Sequence, residues 1–222
     1  MDGSTCVCWD DGKEENDVNH GLLGAILSGE ATTGIVVIMR GVSGMGKTTF
    51  AKLIAARSGL LHSVCSADEE FATLVAEDHG TKGNNYKGTS KGNKKGKRRG
   101  QQNVRDRLSE AHRRCQERFT SSLAAQVPLV ICDNTNVTLR DTQFYYKTAM
   151  AAAGYEIVVV ELKCVDEIGL RDATLRSCHG FGLGKALMRW RLWQDWEEKE
   201  ESGGRGKQNS VCVVRLRPRV CL

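Results

Sequence analysis

"MRGVSGMGKTTFAK", residues 39–52, decides the fold of this 222-residue chain. Gly41, Gly46, Lys47 and Thr48 keep the spacing G-x-x-x-x-G-K-[ST]. That spacing makes a phosphate loop. Glycines let the backbone curl until its N–H groups face an anion, a lysine reaches the β- and γ-phosphates, and a hydroxyl ligates Mg²⁺. The flanks suit the mechanism. "GIVVIM" (34–39) is a short β-branched apolar run, expected to be a buried parallel strand that feeds the loop. "KTTFAKLIAARSG" (47–59) places Phe50, Leu53 and Ile54 on one helical face, with Gly59 as the stop. Gly41, Val42, Ser43, Gly44, Met45, Gly46, Lys47, Thr48 and Thr49 are therefore expected to hold ATP with its Mg²⁺.

Strand and helix patterns continue to alternate. Strands are expected at 60–66, 128–133 and 155–163, and helices at 67–78, from Asn103 onward, and at 139–154, 166–176 and 185–201. Such alternation predicts an α/β fold of the P-loop NTPase and kinase type: a parallel sheet with right-handed crossovers and helices on both faces. Residues 1–33 are polar and Gly-rich and are expected to be a flexible arm. The domain is expected to span 34–201. Residues 202–222 would be a tail, in which "VCVVRLR" (211–217) forms a last strand or an ordinary tail segment. Residues 79–102 are Gly, Lys, Asn and Ser with almost no apolar content, too little to fold alone, and are expected to be a disordered basic insert.

The loop does not say where the γ-phosphate goes. Regulatory GTPases need Asn-Lys-x-Asp, and the nearest match, Asn93-Lys94-Lys95-Gly96, lacks the Asp. Many hydrolytic ATPases carry Glu directly after the Asp of the magnesium strand, whereas here Asp133 is followed by Asn134. Both absences favour transfer to a bound acceptor. In an open α/β sheet the aligning base lies at the carboxyl end of a neighbouring strand. Asp68 in "VCSADEEF" (64–71) holds that position, although Asp68, Glu69 and Glu70 also suit a helix amino terminus by charge alone. Transfer also needs cations over the equatorial oxygens. Arg171, Arg176 and Lys185 flank a Gly-rich stretch, 177–184, which is either a closing lid or a solvated turn between helices.

"MRGVSGMGKTTFAK", "CSADEEF", "AHRRCQ", "VICDNTN", "AGYEIVVVEL" and "RSCHGFGLGKALMRW" stand in the order found in the polynucleotide 5′-hydroxyl kinase-like group of P-loop kinases. Residues 35–200 resemble the short ATP-binding proteins of that group. They are also similar to the AAA-type kinase-like domains of the myelin cyclic nucleotide phosphodiesterases and of Nedd-type ubiquitin-ligase-binding proteins. The resemblance implies that Asp68 aligns and deprotonates a 5′-hydroxyl and that Arg176 is a lid arginine. It also implies that Asp133 serves Mg²⁺ through water and that Thr135 and Asn136 lie beside the acceptor phosphate. The resemblance places a second lid arginine at position 179, where this sequence has His179. The implied activity is Mg-ATP-dependent phosphoryl transfer to a hydroxyl. The alternatives are a nucleotide or small metabolite as acceptor, or a regulatory ATP-binding module.

Net charge is only +5, but Lys82, Lys87, Lys91, Lys94, Lys95, Lys97, Arg98 and Arg99 share one acid-free segment. The insert, 82–99, is thus expected to draw a nucleic-acid acceptor, to direct nuclear import through "KKGKRR" (94–99), or to be a plain solvated loop. Nine cysteines without a Cys-x-x-Cys pair suggest reduced core thiols in a cytoplasmic or nuclear protein. No apolar run approaches transmembrane length. The tryptophans at 190, 193 and 196 are expected to pack on the sheet, and His112 is expected to be structural.

Overall fold

The computed structural model describes residues 7–10, 24, 26, 33–81, 94–164, 166–177, 182–193 and 211–220. In chain order these form β1 (Val7–Asp10), β2 (Gly34–Arg40), α1 (Lys47–Ser58), β3 (His62–Cys65), α2 (Ala67–Thr81), α3 (Lys94–Ala124), β4 (Leu129–Cys132), α4 (Leu139–Ala151), β5 (Tyr155–Leu162), α5 (Glu167–Arg176), α6 (Leu183–Arg191) and β6 (Val211–Val220). The sheet order is β1-β6-β5-β2-β4-β3. Every pairing from β6 to β3 is parallel, and β1 joins β6 antiparallel. This is the expected α/β P-loop fold.

The core follows from strand periodicity. Along β2, Ile35, Val37 and Met39 enter one apolar cluster with Phe50 and Ile54 of α1, Leu170 and Ala173 of α5, and Ala186 of α6. Val36 and Ile38 point the other way, into a cluster with Cys115 and Phe119 of α3 and Tyr145 and Ala149 of α4. With both faces covered, Ile35 through Met39 are fully buried, which is why the strand is continuously apolar rather than alternating. β4 lies on one side of β2 and β5 on the other. The chain thus reverses direction across the sheet at the carboxyl end of β2, where the phosphate loop emerges and ligand crevices form.

Two segments differ from the sequence expectation, and a third takes one of the two forms expected of it. The supposed arm supplies β1, with Val7 opposite Val220, and Ile26, which is fully buried in the core cluster of α1. Of the two readings of the carboxyl-terminal segment, the last strand is the one observed, with Ile157 of β5 opposite Val211 and Leu162 opposite Leu216. Both strands depend on partners distant in sequence, which local patterning does not disclose. Finally, α3 begins at Lys94, so residues 94–102 of the supposed disordered insert have helical backbone. Packing of Ala111, Cys115, Phe119 and Leu123 nucleates this helix. Once it is nucleated, Lys, Arg and Gln extend it at little cost. Residues 82–93 lie outside the described residues, as do His179 and Gly180.

Candidate active site

The phosphate loop runs from Gly41 to Gly46 and opens α1. Val42 and Met45 are buried in the core, so they serve the loop only through their backbone. Gly44 has φ +83, and a Cβ there would lie 1.8 Å from the Ala173 carbonyl oxygen of α5. Only glycine permits both the left-handed backbone and that approach. Gly46 caps α1 with φ 88 and makes no side-chain cap bond, which leaves the first N–H groups of the helix to an anion. Ser43 Oγ lies 2.9 Å from Ser177 Oγ, so the loop touches the end of α5. Arg176, the residue before Ser177, is thereby held at the loop's edge with its side chain exposed.

Lys47 is buried, and its Nζ donates to the Val42 carbonyl at 2.9 Å. Burial lowers its pKa from 10.5 to about 8, against the opposing pull of Asp133 and Asp68. Those two carboxylates therefore face the same ammonium from different elements. Asp133 follows β4, and its N–H donates to the Cys65 carbonyl at 2.9 Å. Burial raises its pKa, while a hydrogen bond from Thr48 and the charge of Lys47 lower it. Asp133 Oδ1 is buried without a hydrogen-bond partner. An acceptor with no donor, beside Thr48 and Lys47, suits the water shell of a divalent cation. Among the described residues no cluster of His, Cys, Asp and Glu forms a cage of its own. A Mg²⁺ would therefore rest on Thr48, on the phosphates and on water held by Asp133.

Asp68 lies in the first turn of α2, solvent-exposed, where its charge is felt by both Lys47 and Asp133. Glu69 also acts on Asp133, whereas Glu70 turns to Arg118, 3.5 Å away. Asn134 sets this geometry. Its Oδ1 accepts from Ala67 N–H at 3.0 Å at the start of α2, and its Nδ2 donates to Tyr145 Oη at 3.0 Å. The position where hydrolytic ATPases carry Glu thus holds an amide that caps the first turn of α2, the turn that carries Asp68.

Thr135 is half-buried, and its carbonyl accepts from Gly41 N–H at 2.9 Å. Asn136, read from the resemblance as an acceptor contact, is turned inward instead. It is 3% exposed, with φ 44, and its Nδ2 donates to the Met39 carbonyl at 2.9 Å. The side chain ties the loop to β2 and presents no donor to the surface. Lys47, Thr48, Asp68 and Asp133 thus converge, Arg176 stands at the loop's rim, and Asn136 leaves the set.

Sequence reading missed one buried ion pair. Arg40, the last residue of β2, faces Glu161 of β5 in register, and both side chains are fully buried and hydrogen-bonded to each other. The signal was present as Arg40 at the end of one apolar run and Glu161 inside the other. The buried thiols of Cys65, Cys115, Cys132 and Cys164 are free, with burial pushing Cys65 up to about 12 and raising the others. Trp190 and Trp193 pack on the core as expected, Trp196 lies outside the described residues, and His112 is exposed on α3. No helix among the described residues is long and apolar enough to cross a membrane.

A family model described as an AAA domain matches residues 36–176. No curated protein matches the chain. Among solved structures, a "putative kinase" of Chloroflexus aurantiacus J-10-fl is similar at 12% identity over 82% of this chain and 85% of that one, with a TM-score of 0.51. A gluconokinase of Sinorhizobium meliloti 1021 is 14% identical over 83% and 82%, with a TM-score of 0.45. The matched span runs from β2 to the end of α5 and contains the phosphate loop, Asp68, Asp133 and Arg176. The chain belongs to this AAA domain family, as a P-loop domain with a kinase-like fold.

Proposed function

We propose that this chain is a Mg-ATP-dependent kinase whose acceptor is a hydroxyl, foremost the 5′-hydroxyl of a nucleic acid. The observation that carries this is the placement of Asp68: an exposed carboxylate, held by the Asn134 cap, in electrostatic contact with the phosphate-loop lysine. A general base must lie beside the triphosphate cradle and be open to the acceptor, and an exposed Asp68 acting on Lys47 supports that role.

Bound Mg-ATP supplies the phosphoryl group and the charge that Mg²⁺ neutralises. The chain's residues do the rest. The loop N–H groups and Lys47 hold the β- and γ-phosphates. Thr48 would ligate the cation and Asp133 would hold a water of its shell, the metal supplying charge neutralisation when bound. Asp68 takes the proton of the acceptor hydroxyl as that oxygen bonds to phosphorus and the bond to the ADP oxygen breaks. Arg176 sets positive charge over the transferring oxygens. The absence of a carboxylate after Asp133 disfavours water as acceptor.

The nucleic-acid preference is supported by the start of α3. Lys94, Lys95, Lys97, Arg98 and Arg99 occupy its first two turns, where the helix dipole already disfavours cations. A polyanion relieves that repulsion, and the basic insert 82–99 would track its backbone.

The test is incubation with γ-labelled ATP, Mg²⁺ and a 5′-hydroxyl oligonucleotide. Label on the oligonucleotide that Lys47→Ala and Asp68→Ala both abolish is the expected result. Transfer to nucleosides or metabolites alone moves the acceptor to a small molecule. ATP binding without transfer, indifferent to Asp68→Ala, refutes the kinase and leaves a regulatory module.

A further inference from the structure

We infer that Arg40 is a positioning residue that sets the Asn134–Thr138 loop and helix α6 against the phosphate loop. This deepens the kinase proposal and rests on it for its catalytic consequence only.

All three guanidinium nitrogens of Arg40 are used. Nε donates to the Asn136 carbonyl at 3.0 Å, Nη2 to the Val137 carbonyl at 3.1 Å, and Nη1 to Glu161. The plane also lies 4.7 Å from the centroid of the Trp193 ring, just past α6. Asn136 answers from its side by donating to the Met39 carbonyl, so two reciprocal bonds lock this loop to the end of β2. One residue later the chain enters the phosphate loop at Gly41, whose N–H donates to Thr135.

Helix α6 carries two further tethers to the same rim. Trp190 Nε1 donates to the Cys164 carbonyl at 3.0 Å, and Arg189 lies 3.6 Å from Asp141. Asp141 and Thr138 form the capping box that opens α4, at the far end of the loop that Arg40 grips. The carboxyl end of α6 is therefore pinned while its amino end, at Leu183, follows the Gly-rich stretch. Arg40 touches both the loop beside Asp133 and Trp193, just past the carboxyl end of α6.

A buried ion pair is often matched or bettered in stability by an apolar pair of like volume, so stability alone does not account for this one. Its donors are instead aimed at the carbonyls of one loop, which an apolar pair cannot reproduce.

The test is the double variant Arg40→Met/Glu161→Met, chosen to avoid stranding one buried charge. Amide hydrogen exchange is followed by mass spectrometry, beside nucleotide affinity and acceptor kinetics. Exchange in segments 134–140 and 186–193 is expected to accelerate about tenfold, with 34–39 and 129–132 unchanged and nucleotide Kd within about threefold. Where the wild type transfers phosphate, acceptor KM rises or kcat falls about tenfold, and Arg40→Lys restores only part of it. Unchanged exchange in both segments, or acceleration spread evenly over the sheet, overturns the inference. A wild type without transfer refutes the kinase proposal alone and leaves the exchange result to decide this one.

Discussion

Replacing Lys47 by methionine is expected to stabilise the ligand-free protein while abolishing its affinity for nucleotide. The ammonium is buried, and its pKa falls from 10.5 to about 8. Each unit is worth about 1.4 kcal/mol, so holding the charge in the folded state at pH 7 costs about 3 kcal/mol. Methionine keeps the stem and removes the charge. It also removes the bond to the Val42 carbonyl, which costs about 1 kcal/mol, so the net gain is about 2 kcal/mol. For a chain of this size each kcal/mol moves Tm by roughly 2–4 °C. The sign fixes the pH window. A lysine with a lowered folded pKa binds fewer protons folded than unfolded between about 8 and 10.5, so wild-type stability rises across that window. The advantage of Lys47→Met should be full below pH 8 and fade toward pH 10. Mg-ATP at a hundredfold excess over Kd should raise wild-type stability by about 2.7 kcal/mol and leave the variant unmoved. Thermal and urea melts at pH 6 to 10, with and without Mg-ATP, measure all of this. A variant less stable than wild type at pH 7, or a difference independent of pH, would falsify the claim that Lys47 is held at a desolvation cost.

Other outcomes follow from single contacts. Asp68→Asn should lower kcat by about 10²–10⁴ and leave ATP affinity within a few-fold, since Asp68 serves the acceptor proton; equal loss of ATP affinity, by titration calorimetry, would count against that role. Asn134→Ala removes the acceptor for Ala67 N–H and a donor to Tyr145, and should cost about 1–2 kcal/mol in urea unfolding, with loss of transfer exceeding loss of stability. Gly44→Ala should abolish nucleotide binding or folding, because the added carbon meets backbone of α5, and normal ATP affinity by calorimetry would refute that packing. Neutralising Lys94, Lys95, Lys97, Arg98 and Arg99 to Gln keeps helix formers in α3 and should flatten the salt dependence of oligonucleotide binding, measured by fluorescence anisotropy; an unchanged slope removes this segment from the acceptor path.

The phosphate loop, its preceding strand and Asp133 were legible in the chain because each is local. A β-branched run, a glycine spacing and an acid at a strand's end need no distant partner to be recognised. Asp68 was legible by position, but what holds it was not, since the Asn134 cap joins the loop after β4 to the start of α2, 67 residues apart in the chain. Asn136 was misplaced for the same reason: a polar residue in a loop gives no sign of whether its amide faces solvent or the Met39 carbonyl. The length of α3 was misjudged because helix propagation from a packed core overrides a polar, Gly-bearing local composition.

By itself the amino-acid sequence determined that this protein carries a phosphate loop on a parallel sheet, because strand, loop and helix signals are contiguous there. Only the tertiary structure decided which side chains meet. It brought Asp68 and Asp133 to one lysine, closed the sheet with strands from both ends of the chain, and buried Arg40 against Glu161. Those pairings join residues far apart in the chain, and burial, not residue type, determines whether a charge serves the solvent, a substrate or the fold.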